Sequence, residues 1–424
     1  MKKVGVALLG LGTVGGGTYR ILQKMREDIK KTDGVDIEVM HILEKDMSKV
    51  EALGVDPSIV SCDINNVINN PEISIVAEFF GGIEPARSFL MASLKAGKSI
   101  VTANKELFSK HWSDLEECAK IGNAGLYFEA SCVGGVPVIR ALQASMQGNR
   151  IQSIMGIVNG TTNYILTKMA DEGLDYADVL KEAQRLGYAE ANPSADVDGF
   201  DSMYKLSILS TLCFHKRVPI DKIYREGISK VSKIDIEFGK QLGYTLKLLA
   251  IGKMVDGKIE ARVHPAFILD ANPLASVKGS FNAVLIDGDN VGDIMLYGRG
   301  AGDLPTGSAI VSDIVYAACQ TEHKLSCFDN NAGAIDDKDF SKDFECEYYV
   351  RMTVEDKAGV LAKIASTLGK YDVSINTLQQ TANDGAASII FMIHKTKESN
   401  INKALAEIKS LNEVDSVDAL IRVL

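Results

Sequence analysis

No stretch of this 424-residue chain is apolar for long enough to span a bilayer. Nor do its seven cysteines, at 62, 118, 132, 213, 319, 327 and 346, form a Cys-x-x-Cys pair. Their odd number and scatter argue against a disulfide framework or a zinc site, and for reduced thiols in a cytoplasmic setting. A basic excess is missing too. Lys and Arg number 46 against 56 Asp and Glu, a net charge of −10 with no basic stripe, which makes nucleic acid and anionic membrane poor partners. The six histidines, at 41, 111, 215, 264, 323 and 394, fall in no recognisable motif. The opening Met-Lys-Lys and the apolar residues 4–9 imitate a signal peptide, but glycines end the run and no small-residue cleavage site follows. The run is therefore read as a first β-strand. With 46% hydrophobic and 24% charged residues, what remains is a globular chain long enough for two or three domains.

What is present begins directly after that strand, as Gly10-Leu11-Gly12-Thr13-Val14-Gly15. Val14, Thr18, Ile21, Leu22, Met25 and Ile29 then recur at helical spacing. In a strand–turn–helix unit the glycines Gly10, Gly12 and Gly15 permit the tight turn, the approach of a pyrophosphate and the packing of helix on strand. The amides around Thr13 and Val14 are then left facing the phosphates. Strands at 36–43, 73–80 and 99–102 alternate with helices at 85–96 and 105–121, which predicts an α/β fold with a Rossmann-type parallel sheet. The second strand ends in Glu44-Lys45-Asp46, where two signals conflict. An acid there holds a ribose diol and favours NAD, whereas a base accepts the 2′-phosphate of NADP.

Ligands of open α/β sheets lie beyond the carboxyl ends of the strands, where Glu78-Phe79-Phe80-Gly81-Gly82 and Thr102-Ala103-Asn104-Lys105 fall. Lys105 is either an ordinary first-turn helix lysine or a group beside the reacting carbon. As a proton donor it would need its pKa, about 10.4 when free, lowered by desolvation or by a neighbouring cation such as Lys205. After a strand at 126–128 comes a small-residue loop, Glu129 to Pro137, which exposes main-chain carbonyls or simply closes the first domain. Cys132 in that loop raises the rival of an acyl-enzyme aldehyde dehydrogenase, but no histidine base accompanies it in a motif, so it is read as a small filler.

The segment 183–205 is the most informative. A helix carrying Val179, Leu180, Ala183 and Leu186 closes at Gly187, and Glu190, Asp196, Asp198 and Asp201 follow within twelve residues, with Lys205 four beyond Asp201. Asp201 and Lys205 could be an ordinary surface ion pair of a helix, worth a few tenths of a kcal/mol. The order Gly, aromatic, small, Glu, Asn-Pro, Asp, Asp-Gly-x-Asp, Lys, however, closely resembles the signature of the homoserine dehydrogenase family. The Thr102–Lys105 motif and Gly156 to Leu166 resemble the same family, and so does the second glycine loop, Tyr297 to Thr306, which leads into a helix at 309–319.

That resemblance implies substrate contacts for Glu190, Asp196, Asp201 and Lys205, and catalysis by Lys105 with Lys205. It implies cofactor contacts for Gly10, Gly12, Thr13, Val14, Gly15, Lys45, Thr102, Lys105 and Gly302, with NADP favoured and NAD the alternative. It also implies a monovalent cation, sodium, held by Glu129, Cys132, Gly134 and Val136. The reaction implied is reversible reduction of L-aspartate 4-semialdehyde to L-homoserine, in a homodimer or homotetramer. The domains expected are a nucleotide-binding domain at 1–130, completed near 300–325, and an α+β catalytic and dimerisation domain at 131–300. A polar linker at 326–345 and a C-terminal domain at 346–424 follow. No kinase-sized segment precedes the glycine turn, so a monofunctional enzyme is expected. The final domain reads as βαββαβ and resembles the ferredoxin-like ACT regulatory fold, implying an amino-acid effector, threonine, near Gly359 and Asn376. A catalytically silent amino-acid sensor is the second rival, disfavoured because both lysines are present.

Overall fold

The computed structural model describes residues 2–323, 336–341, 343–383 and 385–424. Six parallel strands form the first sheet: β1 Lys2–Leu9, β2 Val35–Leu43, β3 Val60–Ser61, β4 Ile73–Glu78, β5 Ser99–Thr102 and β6 Leu126–Tyr127. Val6, Ala7, Leu8 and Leu9 are all inaccessible, as a strand covered on both faces requires. The spatial order is β3-β2-β1-β4-β5-β6. It reverses direction between β1 and β4, which opens a crevice above their carboxyl ends. β4 stops at Glu78, two residues short of the expected strand, so that Phe79 and Phe80 turn out into that crevice.

The helix Thr13–Thr32 follows the glycine turn, and the helix Asp303–Cys319 returns from the far end of the catalytic region to pack against it. Ile310 and Ile314 share one core with Val6 and Leu8. Gly17 makes this approach feasible, because a Cβ there would lie 2.3 Å from the Asp303 carbonyl oxygen.

The second sheet is mixed and larger. Its strands are β7 Ile151–Ile157, β8 Tyr224–Arg225, β9 Tyr244–Val255, β10 Lys258–Leu269, β11 Phe281–Gly288, β12 Gly292–Arg299, β13 Glu345–Glu355, β14 Ile375–Asn383, β15 Ala386–Lys397 and β16 Val414–Val423. Their order is β12-β11-β7-β9-β10-β16-β13-β15-β14, with β8 beside β10. Residues 214–297, for which the sequence suggested only mixed structure, are dominated by two antiparallel hairpins, β9–β10 and β11–β12. The first turns at Asp256-Gly257, both with positive φ (50° and 73°), as a two-residue hairpin of primed type demands. The almost wholly buried helix Phe200–Phe214 packs on β7, β9 and β10.

β13 to β16, with helices Val360–Lys370 and Glu398–Ile408, make the expected βαββαβ unit. Part of the polar linker expected at 326–345 is described, and there the chain packs against the catalytic region. Residues 324–335 and 342 lie outside the described residues, but Phe340 and Phe344 are buried and Ser341 N–H donates to the Ile259 carbonyl at 2.9 Å. β16 then pairs in parallel with β10, Ala266 opposite Arg422 and Phe267 opposite Val423. The C-terminal unit therefore shares a sheet with the catalytic region.

Candidate active site

Gly199, at φ 82°, lets the chain turn into the helix Phe200–Phe214, whose first turn carries Asp201. Lys205 lies one turn on, and the two side chains are only 9% and 10% accessible, so they are no surface pair. Lys205 Nζ donates to Asp201 Oδ2 and to the Val158 carbonyl, each at 2.7 Å. From the other domain comes Lys105, the first residue of the helix Lys105–Gly122, which Asn104 caps by accepting the Leu107 N–H at 3.0 Å. Its Nζ stands 3.1 Å from Asp201 Oδ1. One carboxylate thus bridges two ammonium groups from two domains. Asn159 Nδ2 completes the cluster, donating to Asp201 Oδ2 at 2.9 Å and Asp196 Oδ1 at 2.7 Å, while its Oδ1 caps the helix Gly160–Glu172.

The electrostatics correct one expectation. Lys105 was expected to have its pKa lowered, by desolvation or by a cation such as Lys205, but the Asp201 carboxylate raises it, outweighing the burial that opposes charge. The charge of Lys205 is spent on the same carboxylate, which stands between the two lysines. Burial works against a charged Asp201, yet Lys205 and Lys105 together hold its carboxyl far below the ordinary range. Asp196 is shifted the other way, raised by burial. Asp198 takes no part and accepts the Ser194 hydroxyl instead.

These groups face a cleft of about 600 Å³ between the glycine turn and the catalytic helix. Thr13, Val14 and Phe79 line one wall, Asn159, Asp201 and Lys205 another, and Gly300 to Gly302 close the rim. A contiguous recess of about 310 Å³ shares Lys105, Asp196 and Asp201 and adds Glu190 and Tyr204. Glu190 is exposed and lines that recess.

The glycine turn suits a dinucleotide. A Cβ on Gly15 would sit 2.2 Å from the Gly10 carbonyl oxygen, whereas one on Gly12 would meet nothing within 4 Å, leaving the helix start open to a bulky anion. No side chain caps this helix start. Glu44 accepts N–H groups of Leu11 (2.8 Å), Lys45 (2.9 Å) and Asp46 (3.0 Å), tying the turn to the end of β2. Lys45 is exposed and lines, with Glu44, Phe80 and Phe89, a further recess of about 420 Å³. Thr102 is placed differently from a cofactor contact through its side chain: its hydroxyl is buried and donates to Glu78 at 2.6 Å.

In the loop expected to hold a cation, the Glu129 carboxylate accepts the N–H groups of Ile139 (2.9 Å) and Arg140 (2.6 Å). The main-chain oxygens of Glu129 and Val136 already accept from Cys132 and Val138, and Gly134 lies against Gly300. Among the described residues no three His, Cys, Asp or Glu side chains are grouped to hold a metal. Cys132 is fully buried, and burial pushes its thiol up to about 12, which removes it as a nucleophile. Gly359 starts the helix Val360–Lys370 at φ 91°, and Asn376 is exposed on β14, an edge strand. Sequence reasoning gave no role to Glu78, and read Asn159 as a helix cap within a run that the family resemblance puts near the substrate. The signal for Glu78 was its position at a strand end on the crevice.

Comparison with known proteins agrees with this geometry. The family model described as "Homoserine dehydrogenase" matches residues 137–315, "Homoserine dehydrogenase, NAD binding domain" matches 10–129, and "ACT domain" matches 348–413. A homoserine dehydrogenase of Corynebacterium glutamicum is 42% identical over 99% of this chain and 95% of its own length. The solved structure of a homoserine dehydrogenase from Thiobacillus denitrificans superposes with a TM-score of 0.91 at 37% identity, covering 100% of this chain and 99% of that one. A hyperthermophilic archaeal homoserine dehydrogenase, solved in complex with NADPH, covers 74% of this chain and 97% of its own at 29% identity and a TM-score of 0.63. With its dinucleotide cradle, its two-lysine cleft and these relatives, the chain belongs to the homoserine dehydrogenase family of NAD(P)-binding oxidoreductases.

Proposed function

We propose that the cleft interconverts L-aspartate 4-semialdehyde and L-homoserine, with Lys105 moving the proton of the reacting oxygen. The observation that carries this reading is Asp201 held between Lys105 and Lys205 at the mouth of a dinucleotide crevice. Gly10 to Gly15 would hold a nicotinamide dinucleotide, which would supply the hydride for the aldehyde carbon or accept it in reverse. Because Asp201 raises its pKa, Lys105 is an ammonium at neutral pH and is ready to protonate the nascent alkoxide. Its side chain is 40% accessible, so solvent can restore the proton. Lys205 commits two of its three N–H donors to Val158 and Asp201, which leaves one for the substrate. Glu190 holds the α-ammonium from the recess, while Asp201 and Lys205 fix the reacting end, with Asp196, tied to Asp201 through Asn159, supporting them.

Lys45 would face the 2′-phosphate, which favours NADP over NAD with use of both allowed. In support, both oxygens of Glu44 are occupied by backbone N–H groups and are less free for a ribose diol. By the family resemblance the loop Glu129 to Val136 would hold a sodium ion on the main-chain oxygens of Glu129, Cys132, Gly134 and Val136, those of Glu129 and Val136 while also accepting N–H groups. The enzyme works in the cytoplasm as a homodimer or homotetramer, and threonine binds near Gly359 and Asn376 where two C-terminal units meet. Homoserine oxidation followed with NAD and with NADP separately tests the assignment, together with Lys105→Ala. The variant should lose about 10²–10⁴-fold in kcat and keep its dinucleotide affinity. Near-normal turnover would move the proton role to Lys205.

A further inference from the structure

Glu78 is fully inaccessible and faces no part of the cleft, yet it joins the two turns that frame Lys105. Its Oε1 accepts the Phe80 N–H at 2.5 Å and its Oε2 the Thr102 hydroxyl at 2.6 Å. Thr102 Oγ1 in turn accepts the Asn104 N–H at 3.0 Å. Asn104 then closes the circuit, its Nδ2 donating to the Gly82 carbonyl at 2.7 Å and the Phe80 carbonyl at 3.3 Å. Its Oδ1 meanwhile caps the helix that Lys105 begins.

Every member of this circuit is backbone or short side chain at the carboxyl ends of β4 and β5, and Lys105 is the next residue. Two donors aimed at two different oxygens suit a carboxylate, and among the described residues no cation pairs with it. A buried acid of this kind is tolerated only where hydrogen bonds replace its water. Burial also pushes Glu78 up to about 7. Phe80, Gly81, Ala103 and Lys105 line the cleft from either side of the circuit, so a change at Glu78 reaches the reacting atoms only by moving them.

We propose that Glu78 is a positioning residue that locks the turn after β4 to the Thr102–Lys105 turn and so sets where the Lys105 ammonium meets the substrate oxygen. This rests on the reading of Lys105 as the proton-transferring group. Misplacement of about 1 Å costs on the order of 10²-fold in rate. Glu78→Ala should accordingly lower kcat roughly 10–10²-fold while the KM for homoserine and the dinucleotide affinity stay near wild type. Glu78→Gln keeps an acceptor for Phe80 and a polar link to Thr102, and should recover most of that loss.

In the Lys105→Ala enzyme, Glu78→Ala should cost nothing further. A fresh loss in that background overturns the proposal, whereas an active Lys105→Ala enzyme overturns the reading beneath it. Should Glu78→Ala fail to fold, Thr102→Val breaks the same bond from its other end and should give the same kcat loss with KM unchanged. Wild-type kcat in folded Glu78→Ala or Thr102→Val, or loss of KM and kcat together without rescue by Gln, overturns the assignment.

Discussion

Asp201 is the residue on which the site's electrostatics turn, since its carboxylate pairs with both lysines. Replacing it with Asn keeps the shape and removes the charge, leaving two ammonium groups facing one another around a neutral amide. The pKa of Lys105, now raised by the carboxylate, should then fall under burial and the charge of Lys205. In the direction of semialdehyde reduction, which needs the protonated lysine, the alkaline limb of the kcat profile should move to lower pH in Asp201→Asn. An unmoved limb would mean that another group supplies the proton. The sequence showed both lysines and the acid, and their i, i+4 spacing was legible. The meeting with Lys105, 96 positions from Asp201, was not, and without it the expected sign of the Lys105 shift was reversed.

Among the elements, the glycine-rich helix Thr13–Thr32 separates two kinds of glycine. At Gly17 an added methyl group would strike the Asp303 carbonyl at 2.3 Å and force the two helices apart. Gly17→Ala should destabilise the fold by about 1–3 kcal/mol, read as a lower denaturant midpoint. Gly12, whose Cβ would meet nothing within 4 Å, has φ −66°, so Gly12→Ala should leave that midpoint unchanged and raise the KM for the dinucleotide. Equal midpoints for the two variants would discard this division. The parallel strands were readable because a strand buried on both faces is a continuous apolar run bounded by glycine, as at residues 4–9. The hairpin β9–β10 escaped for the same reason: burial on both faces erased the alternation that marks a strand. Its Asp256-Gly257 turn was nevertheless a local signal, and it was passed over.

At the scale of the whole molecule, the junction of catalytic and C-terminal units is polar as well as shared in backbone. The buried Asp235 accepts from Arg351 Nε at 2.6 Å and Nη2 at 3.2 Å and from the Tyr349 hydroxyl at 2.9 Å. Arg422 donates to Glu226 and Tyr224, each at 2.8 Å, and to Glu398. Arg351→Met strands the Asp235 charge and should cost about 3–5 kcal/mol, while Arg351→Met with Asp235→Asn should recover part of that. A silent Arg351→Met in urea unfolding would show that the junction does not depend on this pair. No local pattern announces such a junction, because the pairing of Ala266 with Arg422 links positions 156 apart. It also ties the assembly of the sheet to the order of synthesis. A chain leaving the ribosome in sequence order makes β16 after every other strand described here, yet β16 belongs between β10 and β13. Until it arrives, one edge of β13 and the Ala266–Phe267 end of β10 stay unpaired on a nascent chain, which makes that interval the time when neighbouring copies on a polysome can exchange strands or call for a chaperone.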